Sequence, residues 1–492
     1  MSARRPRVLL VTPPYHAGVV ESAGVWLPLG VVYVAGAARR AGAEVRIYDA
    51  MSLDHTHADI ARAIEAWRPD VVAVYTITAM EPDAREVCRA AKRVDPRTLT
   101  VLGGVHPTFM WREVLEQEPA VDVAVRGEGE GTFAELVAAR AAGAALERVA
   151  GIALRVDGRP VATPARPFVA DLDALEPAWD LLDWPRYYYR PNPAGRFAIV
   201  SSSRGCLKQC AFCSQQKLWE RTWRARTAEA FVGELELLRD VYGVRVAMLS
   251  DETPTVERPR WERILDLLAE RKVGVELLME TRVDDVVRDE DLLERYVAAG
   301  VSHLYAGVES GSQATLDLFK KETQVAQSKR SIELINAAGI ISETSFVLGM
   351  PEDTTESILA TVELAKWYGP DMAFFLALAP WPYADLYPQL EAHVVTRDYR
   401  KYNLVEPVLK PRAMTVDEVR LALHQATGEF FRDKFQRLGE LSAFKQEYLL
   451  RVLKLLIEHS YLGAEMKALA AHVEVPPAMR ELLERAGVSL EF

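Results

Sequence analysis

The sequence is poor in cysteine: its 492 residues include only four. So few in so long a chain cannot make a disulfide framework, and a reducing cytosol is the expected setting. Basic charge is also lacking. The formal net charge is -11, which disfavours nonspecific nucleic-acid binding. No stretch of about eighteen apolar residues occurs, so no membrane span is expected. The first apolar run, VLLV, stops at Thr12-Pro13-Pro14. It is too short for a secretory signal and reads as a buried strand. The remaining composition is ordinary for a globular chain, 49% hydrophobic and 26% charged. The length suits about two to four domains.

Apolar runs alternate with helical patterns from residue 7 to about 140. The runs are RVLLVTPP, AEVRIYDA, VVAVYTIT, TLTVLGGVH and VDVAVRGEG. This predicts an α/β domain with about five parallel strands, a doubly wound sheet that binds ligands at its carboxyl edge. The loops predicted at that edge are rich in Gly, His and Thr, and small residues let backbone approach a large ligand. GIALRVDGRPVATP reads as a hairpin turning at Asp157-Gly158. A Pro- and aromatic-rich stretch follows and reads as an ordered linker. From 196 the alternation resumes: RFAIVSSS, VRVAMLSDETP, VELLMETRVD, SHLYAGVES, ISETSFVLGMP and MAFFLALAPWP. Six β/α units suit a partial barrel with its chemistry at the carboxyl ends of the strands. The expected divisions are 1–145, 146–195, 196–412 and a helical region, 413–492.

Three of the four cysteines fall within RGCLKQCAFCSQQ, in the loop after the first barrel strand. Cys206, Cys210 and Cys213 are spaced C-x3-C-x2-C. Small buried hydrophobes are one account of them. A zinc site is a second, but no fourth Cys or His stands at finger-like spacing. A four-iron, four-sulfur cluster is the third: three thiolates leave one iron open for a ligand. Cys88, on a predicted helix, reads as core filler.

This spacing in this barrel resembles the radical S-adenosylmethionine (SAM) superfamily. Further matches follow in order: LSDETP with Asp251 and Glu252, METRVD with Glu280 and Arg282, GVESGSQ with Glu309 and Ser310, and SFVLGMPEDT with Gly349. The resemblance implies a cluster on the three cysteines and SAM contacts from these residues, with Phe212 packing on adenine. Taken singly, each acidic residue is as well explained as a loop or capping residue. A doubly wound domain before such a barrel resembles the cobalamin-binding subclass. That implies contacts from Thr76, Gly103, Gly104, His106, Arg126, Gly127, Glu128 and Gly129. The D-x-H-x-x-G motif, whose histidine ligates cobalt from below in other cobalamin enzymes, is absent here. The first loop reads PPYHAGVVESAG, so no lower His ligand is expected and His16 reads as a hydrogen-bonding residue.

Several stretches outside these motifs, LDLFKKETQVAQSKR, PWPYADLY and KYNLVEPVLKP among them, resemble the anaerobic magnesium-protoporphyrin IX monomethyl ester oxidative cyclases. That family implies an oxidoreductase of bacteriochlorophyll synthesis. It builds the fifth ring of a magnesium porphyrin with oxygen from water, and takes electrons from a donor such as flavodoxin or ferredoxin. A cobalamin-dependent methyltransferase acting on a porphyrin, lipid or natural-product carbon is the alternative. An iron–sulfur or cobalamin carrier is a third, which leaves the four SAM motifs without a purpose. Trp381, Tyr383 and Tyr387 are candidates to stack on the macrocycle, or else to seal the barrel. Trp219 and Trp223 are candidates for a domain interface.

Overall fold

The computed structural model describes residues 4–15 and 23–459, with 485 and 487. His16, and the expected helical region beyond 459 apart from those two positions, lie outside the described residues.

The first sheet contains β1 (Arg7–Thr12), β2 (Glu44–Asp49), β3 (Val71–Tyr75), β4 (Leu99–Gly103), β5 (Val123–Val125), β6 (Ile152–Val156) and β7 (Arg159–Ala162). Their order is β2-β1-β3-β4-β5-β6-β7, parallel through β5. Residue alternation explains the two layers of core. Val8 and Leu10 face one cluster with Val31, Ala35 and Leu136. Leu9 and Val11 face the other with Ile60, Ile64 and the fully buried Cys88. Both faces are thus covered by helices, as a parallel sheet requires. The 157–158 turn has φ of 50° at Asp157 and 77° at Gly158, as a two-residue hairpin needs. It adds β6 and β7 antiparallel to the first sheet. The linker expected at 146–195 therefore begins with two strands of the preceding sheet. Its aromatic part is buried between the sheets: Trp179 Nε1 donates to Glu234 Oε1 (3.1 Å) and Tyr187 OH to Asp49 Oδ2 (2.9 Å).

The second sheet contains β8 (Tyr188–Tyr189) and β9 (Asn192–Val200), then β12 (Val244–Leu249), β13 (Glu276–Arg282), β14 (Val301–Gly307), β15 (Ile341–Leu348) and β16 (Met372–Ala377). A short ribbon, β10 (Ser203–Gly205) and β11 (Trp223–Ala225), stands outside it. The order β16-β15-β14-β13-β12-β9-β8 is parallel except for β8, and the sheet curls into a half-barrel. Threonine caps start many of the helices; Thr354 and Thr415 each form a capping box.

Two C-terminal helices, Val416–Gln436 and Ala443–His459, complete the described fold. The second reaches the amino ends of the barrel strands. Its Lys445 Nζ lies 2.5 Å from Asp371 Oδ2, both groups buried. Its Tyr448 OH pairs with His303 Nδ1 at 3.0 Å. That end of the half-barrel is therefore stoppered. The carboxyl ends meet the first sheet instead: Thr78, after β3, pairs with Tyr383, after β16, at 2.7 Å. No helix among the described residues is long and apolar enough to cross a membrane.

Gly104 shows how closely the first sheet's carboxyl edge is packed. Its φ is 115°, and an added Cβ would stand 2.6 Å from the Thr76 carbonyl oxygen. Gly104→Ala should cost about 1–3 kcal/mol in urea unfolding. A midpoint equal to that of the parent protein would contradict this close approach.

Candidate active site

The cysteine loop is the connection between β10 and β11, residues 206–222. Its backbone closes several turns on itself, Cys213 N donating to Cys210 O at 3.1 Å and Thr222 N to Trp219 O at 2.8 Å. Two adjacent carboxylates after β12 tie the residues leading into the loop, and one loop tryptophan, to the barrel. Asp251 accepts from Ser202 N (2.8 Å), Ser202 Oγ (2.6 Å) and Ser203 Oγ (2.6 Å). Glu252 accepts from Gly205 N (3.1 Å) and Trp219 Nε1 (2.7 Å). Trp223 Nε1 donates to Thr253 O at 3.0 Å. On the far side, Ala211 N donates to Phe319 O (2.8 Å) and accepts through its carbonyl from Leu386 N (2.9 Å). Gly205 has φ of 105°, and a Cβ there would strike the Thr222 carbonyl. The ribbon tolerates no side chain at that turn.

Within the loop Cys210 is buried, and Cys206 and Cys213 are partly exposed. Burial pushes the Cys213 thiol up to about 12. Burial also raises Cys210, against the pull of Lys321 and Arg282. Such thiols are poor free nucleophiles at neutral pH. They become thiolates when a metal replaces the proton. Among the described residues no three His, Cys, Asp or Glu side chains converge as around a single ion. A cubic cluster does not require that, because each thiolate binds a different iron. Thr253 Oγ1 and Gln215 N point to Cys206 Sγ (3.8 Å) and Cys213 Sγ (3.4 Å), donors suited to a charged sulfur. The donor set fits a cluster.

The barrel mouth beside the loop holds four carboxyl groups. Asp251 and Glu252 are engaged as above. Glu309 sits at φ 65° in a bridge to Phe346 and pairs with Lys321 Nζ at 2.7 Å, both nearly buried. Arg282 donates to Asp284 Oδ1 and to the Lys321 carbonyl, each at 2.8 Å. Glu280 alone has no hydrogen bond or ion pair to another described residue. Burial, then the charges of Glu252, Asp251 and Glu309, push its carboxyl up to about 8, with Lys321 opposing. Ser310 Oγ accepts from Ser312 N (3.1 Å), and Gly349 N donates to Asp353 Oδ2 (2.9 Å) with φ of 87°. Phe212 leans on Phe319, centroids 4.9 Å apart.

On the facing edge Gly103, Gly104, Gly127 and Gly129 present little but backbone, while Thr76 is fully buried with its Oγ1 donating to Val74 O at 3.2 Å. Gly127 has φ of 73° and open space where a Cβ would be. Thr76 N donates to Gly103 O at 2.8 Å, tying two strand ends together. His106 is fully buried, Nδ1 3.2 Å from Thr78 Oγ1 and its ring edge against Tyr399. Burial holds its imidazole neutral, pushed down to about 3. It has no free surface to offer a ligand. Arg126 Nη1 donates to Thr163 O (3.2 Å), while its buried Nε has no partner. Glu128 is bound to Arg204 and Arg224 of the ribbon. The aromatic segment after β16 turns toward the protein: Tyr383 stacks on Phe109 (4.9 Å) and lies parallel to Trp381 (6.5 Å). Tyr387 is part-exposed. Lys321, Arg204, Arg224 and Thr78 were not singled out by sequence. Lys321 falls in the KKET stretch, Arg204 opens RGCLKQCAFCSQQ and Thr78 closes VVAVYTIT, whereas no quoted stretch contains Arg224.

Residues 15–137 match the B12 binding domain and residues 200–365 the radical SAM superfamily. The chain belongs to the radical SAM enzymes that carry a cobalamin-binding domain. Among curated proteins it is 38% identical to the anaerobic magnesium-protoporphyrin IX monomethyl ester cyclase of Rubrivivax gelatinosus, over 92% of this chain and 83% of that protein. It is 30% identical to an uncharacterized methyltransferase of Pyrococcus horikoshii, over 91% of this chain and 98% of that one. The solved radical SAM methyltransferase TsrM from Kitasatospora setae has the same fold, with TM-score 0.68 and 20% identity over 84% of this chain and 82% of that one.

Glu280 supplies a test of the mouth's electrostatics. Its folded value of about 8 lies above the ordinary 4.5. Between those values the folded chain keeps a proton that the unfolded chain has lost, so stability falls as pH rises through this window. Glu280→Gln should remove that part of the fall, gaining on the parent protein in urea midpoint from pH 5 to pH 8. Parallel pH profiles would contradict a protonated, half-buried Glu280.

Proposed function

We propose that this chain is an oxygen-independent oxidative cyclase, converting magnesium-protoporphyrin IX monomethyl ester to the fifth-ring ketone. The observation that carries this is the 38% identity to a cyclase across both domains, including 83% of that relative's length. In this reading Cys206, Cys210 and Cys213 hold the four-iron, four-sulfur cluster. The strand ends bearing Arg282, Glu309, Ser310 and Gly349, with Phe212, receive SAM. Gly103, Gly104, Gly127 and Gly129 let the corrin lie against backbone, with the buried Thr76 tying their strand ends together. Bound together, cluster, SAM and cobalamin supply a radical that removes hydrogen and an acceptor for the next electron, and water supplies the oxygen.

The protein's own part is positioning and proton handling. Lys321 neutralises Glu309, and with Arg282 places positive charge beside Cys210. The stoppered amino end leaves the mouth between the domains as the route for a flat substrate. Glu280 is the one mouth carboxyl free of a protein partner and so able to exchange a proton with a ligand. Tyr383, engaged by Thr78 and Phe109, supports the domain junction rather than a porphyrin face. Trp381 and Tyr387 remain the candidates for stacking. Flavodoxin or ferredoxin would serve as electron donor in a cytoplasmic setting.

The methyltransferase reading is favoured by the Pyrococcus relative, which is covered for 98% of its length. Product chemistry separates the two. With reductant, SAM and cobalamin, the cyclase should form 5′-deoxyadenosine and place one oxygen-18 from labelled water in the product. Stoichiometric S-adenosylhomocysteine with a methylated product would give the assignment to the methyltransferase. For the cluster itself, alanine at Cys206, Cys210 or Cys213 should abolish reductive SAM cleavage, while Cys88→Ser should keep it. Normal iron content and cleavage in Cys210→Ala would contradict the ligand assignment.

A further inference from the structure

Arg204 and Arg224 are register partners on β10 and β11, the two strands that carry the cysteine loop. Both reach the first domain and meet the same carboxylate. Arg204 Nη1 donates to Glu128 Oε1 (2.8 Å) and its Nη2 to Glu130 Oε1 (2.7 Å). Arg224 Nη1 lies 3.1 and 3.0 Å from the two Glu128 oxygens and donates to Val169 O at 2.5 Å. Val169 N closes the ring by donating to Glu128 Oε2 at 2.6 Å. The four side chains are nearly buried, Glu128 at 5%, Glu130 at 7%, Arg204 at 13% and Arg224 at 16% exposure. Aromatic rings roof the cations: Tyr33 lies 5.1 Å from Arg204, and Phe168 lies 4.7 Å from Arg224.

Two cations on adjacent strands would repel if the shared carboxylate were lost, and buried charges left unpaired are strongly unfavourable. Glu128 thus holds the two strands together as well as joining them to the first sheet. Only Gly205 separates Arg204 from Cys206, so any play in the clasp passes directly to the first cysteine. We propose that Glu128 and Glu130 are positioning residues whose ion pairs with Arg204 and Arg224 set the place of the cysteine loop against the carboxyl edge of the first sheet. On the cofactor placement proposed above, they fix the separation of cluster and corrin, and they do so without touching either.

The first measurement needs no cofactor. Hydrogen exchange in the apoprotein should speed up several-fold in residues 203–225 in Glu128→Gln, and less in Glu130→Gln, which frees only one bond of Arg204. Glu128→Asp should restore part of the protection. Unchanged exchange in the ribbon in both variants, or acceleration spread over the whole chain, would overturn the proposal. Should Glu128→Gln not fold, Glu130→Gln decides the same question. The second measurement is pulsed electron paramagnetic resonance of the protein loaded with reduced cluster and cob(II)alamin. The spin–spin distance distribution should be narrow in the parent and broader or shifted in Glu128→Gln. Faster ribbon exchange with an unchanged distance would overturn the link from clasp to cofactor geometry. A parent protein that shows no such coupling would overturn the cofactor placement while the exchange result stands by itself.

Discussion

Charged groups buried at the seam between two sheets hold this structure in its working form. The cysteine loop holds one short helix, Gln215–Leu218, and owes the rest of its shape to turns and to its anchored ends. Hydrogen bonds from neighbouring loops would have to replace the missing ladder. Asp251 holds Ser202 and Ser203 before the loop, Glu252 holds Gly205 and Trp219, and Glu128 holds the flanking Arg204 and Arg224. A carboxylate is a strong acceptor with several lone pairs, so one side chain can gather donors from separate segments. The cost is burial of charge, which cations offset at Glu128 and which hydroxyl and amide donors offset at Asp251. The loop's geometry therefore depends on residues that are remote in sequence.

The same economy of openings governs access. Lys445, Asp371 and Tyr448 close the amino end of the half-barrel, and Tyr383, Thr78 and His106 form a buried chain across the domain junction. Neutral His106 suits that chain, since burial and the nearby Arg85 cation both disfavour a charge there. What stays open is the mouth between the strand ends, where Glu280 and the small residues of the first sheet lie.

The periodicity of the chain made both sheets legible. Five parallel strands in the first and six in the second were predicted, and they stand where the runs of Val, Leu and Ile put them. The hairpin was legible from Asp157-Gly158, but its attachment to the first sheet was not, because strand pairing is a tertiary choice. Motif residues could be located but not paired. Nothing near Glu128 announces Arg204, 76 residues away, so a clasp residue was read as a corrin contact. Gly-Gly-x-His suggests an open loop, whereas Val105–Gln117 is a helix whose first turn buries the His106 ring. Tyr383 looked like a stacking platform because composition cannot say which face of an aromatic ring is already covered.

This division between tied and untied residues bears on how one frame serves more than one reaction. Asp251, Glu252, Glu309, Arg282 and Glu128 spend their hydrogen-bonding capacity on the protein itself. They make the frame stiff, and a stiff frame can hold three large ligands in register without contributing to the choice of reaction. The choice must then rest with groups that have capacity left. At the mouth these are Glu280, whose carboxyl is held protonated and has no hydrogen bond or ion pair to another described residue, the part-exposed Trp381, and the backbone of the glycine-lined edge. A carboxyl held protonated near neutrality can give its proton to a bound ligand and, once ionised, take one back. The frame accounts for membership of the family, and this small set of unsatisfied groups is where a cyclase and a methyltransferase would have to differ.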